Sequence, residues 1–121
     1  MTAGDNQDVT FDDVTHRLRA FAAARAWEPY HTPKNLVMAL SGEVGELTSL
    51  FQWLTPEESD AWREDPALAA NVLDEIADVT LYLLQLADRL GIDLAAAAHA
   101  KIDRNEVRFP PPEQSSATTS T

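Results

Sequence analysis

At 121 residues, with 45% hydrophobic side chains and only four glycines, the chain has the length of one domain and the composition of a compact, largely helical protein. The absence of cysteine excludes disulfides, zinc–thiolate sites and thiol catalysis. Nine basic residues against twenty acidic ones leave a net charge of −11, which argues against polymeric nucleic acid as a partner but not against a single nucleotide held through metal ions.

Residues 1–9 are polar and expected to be loose. Thr10, with Asp13 three residues on, reads as the cap of a first helix carrying Val14, Leu18, Phe21 and Ala22 at helical spacing. This helix is expected to end near Trp27, because Pro29 and Pro33 bracket an irregular linker. A second helix is predicted over 34–54, with Leu36, Leu40, Val44, Leu47, Phe51 and Leu54 on one stripe. Thr55-Pro56-Glu57-Glu58 opens a short helix that closes before Pro66.

A third long helix is predicted over 68–90, with Leu68, Val72, Ile76, Val79, Leu83, Leu86 and Leu90 in register and Gly91 as its stop. Asp93 caps a fourth helix that runs to about Val107. The tail from 110 to 121 has no apolar periodicity and is expected to be disordered, which leaves 10–109 as the folded domain. No segment alternates with period two, so the fold class is all-α, with four long helices as its core. Leu73, Leu81 and Leu84 lie off the main stripe of the third helix; that surplus suggests a subunit interface and completion of the core by oligomerisation. No apolar run is long enough to cross a bilayer and no leader is recognisable, so a cytoplasmic protein without a membrane partner is expected.

Two acidic pairs carry the chemistry: Glu43 and Glu46 on the second helix, Glu75 and Asp78 on the third. Each pair has i, i+3 spacing, which puts both carboxylates on one side of a helix. At about 100° per residue, Glu43 and Glu75 lie roughly 20° off the edge of their apolar arcs, and Glu46 and Asp78 roughly 80° off, on the same side. Antiparallel packing would then gather four carboxylates at one edge of the core. A lone E-x-x-E is usually a solvated face, but charges directed beside a core need a compensating cation or donor. Oxygen-only ligation points to a hard divalent cation, Mg²⁺ or Mn²⁺, and no histidine stands where a di-iron bundle would need one. Gly42 and Gly45, which flank this acidic run, suggest a close approach by another backbone or a ligand.

Around these pairs, Trp27, Trp53 and Tyr82 are candidates for stacking on a base, and His31 sits in the linker close to the expected pocket. Lys101, Arg104 and Arg108 are scarce positive charges; at least one should meet a triphosphate, with Lys101 the leading choice. Ordinary packing or surface pairing remains the alternative for each.

Glu43-Val44-Gly45-Glu46-Leu47 and Glu75-Ile76-Ala77-Asp78-Val79 resemble the E-x-x-E…E-x-x-D signature of the all-α nucleoside triphosphate pyrophosphohydrolases, the MazG-like superfamily. The runs 21–27, 31–36, 51–53 and 101–105 resemble its dCTP pyrophosphatase branch, and the likeness extends over about residues 13–110. The resemblance implies hydrolysis of a (deoxy)nucleoside triphosphate, dCTP or a related pyrimidine, to the monophosphate and pyrophosphate. It also implies Mg²⁺ held by Glu43, Glu46, Glu75 and Asp78, a base pocket that includes Trp27, Trp53 and Tyr82, a polar contact from Asn105, and assembly as a homodimer or homotetramer. One carboxylate is needed to accept a proton from water, and Glu46 is taken for that role although nothing separates it from its neighbours. The chain departs from the branch at Leu18, where some members carry a histidine that helps line the base pocket, and this bears on the base preferred. Two rival readings are a non-catalytic helical dimerisation module with a structural metal and a phosphoribosyl-ATP pyrophosphohydrolase.

Overall fold

A computed structural model describes residues 9–113; most of the expected loose N-terminus and the end of the tail lie outside them. Five α-helices and no strand occur among the described residues. Helix α1 spans Phe11–Ala24, α2 Pro33–Phe51, α3 Pro56–Asp60, α4 Pro66–Arg89 and α5 Leu94–Arg108. None of them is long and apolar enough to cross a membrane. The chain divides after Gly91 into two compact units, the first holding α1 to α4 and the second α5.

Local chemistry sets most boundaries. The Thr10 hydroxyl accepts from the Asp13 amide at 3.2 Å while the Asp13 carboxylate accepts from the Thr10 amide at 3.0 Å, the reciprocal capping box expected for α1. Thr55 and Glu58 repeat it at α3. Gly91, at φ +67°, ends α4 in the left-handed region, and the Asp93 carboxylate caps α5 by accepting from the Ala96 amide at 3.0 Å.

Three boundaries differ from expectation, one being the end of α2 at Phe51 rather than Leu54. Helix α4 begins at Pro66 rather than Leu68, because Asp65 accepts from the amides of Ala67 and Leu68 and the proline ring suits a first helical position. Helix α1 stops at Ala24. Ala26 adopts φ +55°, and the amides of Ala26 and Trp27 donate back to the carbonyls of Ala23 and Ala22. This is the Schellman arrangement with alanine where glycine is usual, a strain of about 1 kcal/mol. It reverses the chain and returns Trp27 over α1, its ring edge-on to Phe21 at 5.5 Å and to His31 at 6.2 Å. A single 3-10 turn, Glu28–Tyr30, then leads to α2, held by a 2.9 Å bond from the Asn35 side-chain amide to the Tyr30 carbonyl.

Within the first unit, α4 is the spine: α2 packs along it and α1 lies against it. Ala22, Leu36, Val72, Leu84 and Ala87 form the buried core. Arg19 on α1 donates to both carboxylate oxygens of Asp88 on α4, at 2.7 Å through Nε. That contact holds the Asp88 carboxyl below its ordinary range.

The packing corrects the expected orientation of the apolar stripes. Val44 is 44% exposed and Ile76 49% exposed, and Leu83 and Leu90 are exposed too. Leu84, expected at a subunit interface, is instead buried. The α2–α4 contact is rotated toward the acidic side of both helices, so part of each stripe faces away from its own chain. Nor do Gly42 and Gly45 meet a close neighbour here; a Cβ at either would find nothing within 4 Å.

Candidate active site

The rotation of α2 against α4 brings three of the four expected carboxylates together. Glu43, Glu75 and Asp78 each place an oxygen within 4.8 Å of the others. All three side chains are half-buried. Glu43 Oε2 and Glu75 Oε2 are enclosed and accept from no donor. Enclosed carboxylate oxygens without a donor are costly, and a hard divalent cation would satisfy an all-oxygen set of this kind. The residues present therefore fit a metal ion. Glu46 lies more exposed and outside this three-way convergence, although its charge acts on Glu75.

The crowding raises the Glu75 carboxyl from its ordinary 4.5 to about 7. The largest cause is a hydrogen bond that protonated Glu75 shares with Glu43, followed by burial and then by the Glu46 carboxylate. The stability effect follows from the sign of that shift. Below about pH 4.5 Glu75 is protonated whether the chain is folded or not, and the fold keeps the shared proton at no cost. Between 4.5 and about 7 the unfolded chain ionises while the folded one resists, so this contribution is lost as pH rises. In metal-free protein, urea midpoints of the wild type relative to Glu75→Gln should therefore drop between pH 4.5 and 7.5, and Mg²⁺ should restore the wild type at the upper end. A difference that stays flat across this range would contradict the crowding.

A cavity of about 380 Å³ opens beside the carboxylates, and Asp78 belongs to both. Its walls come from Leu18 and Phe21 of α1, Trp27 and His31 of the linker, and Tyr82 and Gln85 of α4. Three expected substrate contacts, Trp27, His31 and Tyr82, thus meet around one space. The Schellman turn explains why: it carries Trp27 back to face α4. A second cavity of about 460 Å³ adjoins the first through Leu18, His31 and Gln85, and includes the Arg19–Asp88 pair.

Trp53 is placed differently. It lies beyond the end of α2, is 86% exposed, and lines neither cavity. Lys101, Asn105 and Arg108 lie on α5 in the second unit, where i, i+4, i+7 spacing puts them on one face; the Arg108 guanidinium sits 4.9 Å over the Phe109 ring. Phe21, Leu81 and Gln85 line the first cavity but were not singled out as site residues from the sequence. The signal was available, since Asp78, Leu81, Tyr82 and Gln85 follow i, i+3, i+4, i+7 along one helix face.

Residues 38–120 match the MazG-like family. The chain is 44% identical over 101 residues to dCTP pyrophosphatase 1 of Homo sapiens, covering 84% of this chain and 59% of that protein. It is 41% identical over 105 residues to dCTP pyrophosphatase 1 of Bos taurus, covering 87% of this chain and 62% of that one. The chain thus spans about three fifths of the length of these relatives. A crystal structure of a pyrophosphatase from Archaeoglobus fulgidus superposes with a TM-score of 0.75 at 38% identity, over 83% of this chain and 92% of the other. With the acidic helices, their spacing and the all-α fold in agreement, this chain belongs to the MazG-like family.

Proposed function

We propose that the chain hydrolyses a deoxynucleoside triphosphate, dCTP or a related pyrimidine nucleotide, between the α and β phosphates, releasing the monophosphate and pyrophosphate. The observation that carries this reading is the junction at Asp78. Carboxylate oxygens without donors stand at one end of a cavity walled by Trp27, His31 and Tyr82. The names of the relatives, dCTP pyrophosphatase and pyrophosphatase, support the same chemistry.

Glu43, Glu75 and Asp78 would hold a divalent cation, Mg²⁺ in this reading. Such an ion, when bound, neutralises charge that grows on the phosphate oxygens and acidifies water. The Trp27 indole, packed on Phe21 and 45% exposed, offers a face to the base. Glu46, more exposed than these three and adjoining Glu75, is the carboxylate assigned to take a proton. In the reaction, the hydroxyl of water joins one phosphorus, the bond from that phosphorus to the bridging oxygen breaks, and the water's proton passes to the Glu46 carboxylate and on to solvent. On α5, Lys101, Asn105 and Arg108 share a face suited to an anionic, polar ligand.

The reading extends to a dimer or a pair of dimers. Val44, Leu73 and Ile76 are exposed on the two helices that carry the carboxylates, and a second copy covering them would remove that apolar surface from water. Light scattering that returned a monomer at micromolar concentration would remove this extension.

A panel of dCTP, dTTP, dUTP, ATP and phosphoribosyl-ATP, with and without Mg²⁺, tests the function. Metal-dependent pyrophosphate release from the pyrimidine deoxynucleotides is expected. Turnover confined to phosphoribosyl-ATP would move the chain to that activity, and no turnover at all would leave a metal-holding helical module.

A further inference from the structure

One polar group in the cavity has no role in the reading above. Gln85 lines both cavities, sharing one of them with Asp78, Leu81 and Tyr82, and its side-chain oxygen Oε1 is enclosed with no hydrogen-bond donor. An uncharged carbonyl left this way costs free energy that a bound donor would return. Arg17, Trp27, His31 and Tyr82 on the same walls carry donors, but none of them bonds this oxygen.

The position of Gln85 along α4 is informative. It lies seven positions beyond Asp78, and at 1.5 Å per residue those steps span about 10.5 Å along one helix face. A nucleotide extends over a comparable length from its phosphates to the far edge of its base. With phosphates at the Asp78 end, the base edge arrives at Gln85, and Trp27 lines the same cavity.

A carboxamide presents an acceptor and a donor side by side. The edge of a 4-aminopyrimidine presents an exocyclic amine beside a ring nitrogen acceptor, which is the complementary order. A 4-oxopyrimidine presents the reverse order, an oxygen beside a ring N–H, and pairs with the carboxamide only after the amide turns over, exchanging the places of Oε1 and the amide nitrogen. We propose that Gln85 is the residue that selects the base, its Oε1 accepting from the amine of a 4-aminopyrimidine nucleotide and its amide N–H donating to the adjacent ring nitrogen. The assignment rests on the nucleotide reading of the cavity, and it places base choice on a side chain two helical turns from the carboxylates.

The test is Gln85→Met, which keeps the length of the side chain and helix propensity but cannot form the paired bonds. For the Mg²⁺-loaded protein, kcat/KM on dCTP should fall about tenfold through KM, with kcat within about twofold, while dUTP changes by less than about twofold. The preference for dCTP over dUTP thus shrinks about tenfold. Equal losses on both nucleotides, or no loss on either, would overturn the assignment. Gln85→Glu supplies a second variant: it keeps an acceptor for the amine and should retain more of the preference than methionine does, and the reverse order would count against the proposal. Calorimetric binding of dCMP and dUMP separates this idea from the hydrolytic reading. If nothing is hydrolysed but dCMP binds more tightly than dUMP in a Gln85-dependent way, the activity falls and the base assignment stands. If nothing is hydrolysed and neither monophosphate binds, both fall.

Discussion

Glu75→Gln should lower metal-dependent nucleotide hydrolysis by about a thousandfold or more and yet leave the metal-free protein at neutral pH at least as stable as the wild type. The two effects have opposite signs because one arrangement causes both. Glu75 sits against Glu43 and within reach of the Glu46 charge, and its carboxyl is held up to about 7 by that company. An amide removes the repulsion and mimics the protonated acid. It also replaces one of the three carboxylates whose oxygens converge within 4.8 Å by a neutral amide, and so removes charge that a cation would need. Pyrophosphate release, calorimetric Mg²⁺ titration and urea unfolding on one preparation read all three quantities. A variant that loses stability together with activity would show that Glu75 holds the fold rather than the metal.

Glu46→Gln should lower kcat by about 10² to 10⁴-fold and change Mg²⁺ affinity only a few-fold. Glu46 belongs to the same acidic run as Glu43, but the helix turns it outside the three-way convergence and leaves it exposed. A group in that position can exchange protons with solvent between turnovers. Loss of metal affinity in parallel with kcat would make Glu46 a fourth ligand. Full activity would remove it as the base and leave the metal-binding group intact.

Much of this was legible because it is local. The caps at Thr10, Thr55 and Asp93, and the stop at Gly91, depend on a few neighbouring residues, and those residues are the same in the folded chain. The end of α1 was harder to see, since Ala26 takes a left-handed conformation usually left to glycine. Pro66 looked like a terminator and is a first helical residue, a distinction that depends on Asp65 bonding forward.

Orientation was the larger difficulty. Periodicity shows which face of a helix is apolar, but not whether that face meets its own chain or another molecule. Val44 and Ile76 read as core and are exposed, while Leu84 read as interface and is core. The same rotation turned the carboxylates inward, so the convergence of Glu43, Glu75 and Asp78 was visible as an angle and their enclosure was not. Trp27, His31 and Tyr82 were picked out one by one as aromatic or titratable residues. A glutamine on a helix is ordinarily solvated, and nothing local marks Gln85 as enclosed; its buried oxygen is a product of tertiary packing.

The cavity and the enclosed carboxylates are proposed to form one metal-dependent pyrophosphohydrolase site. Phosphorus NMR of dCTP incubated with the folded protein tests it most directly, first with Mg²⁺ and then with excess chelator. The expected spectrum gains the signals of dCMP and pyrophosphate in Mg²⁺ and stays unchanged under chelation. Appearance of dCDP with inorganic phosphate, or equal turnover in chelator, would contradict the claim.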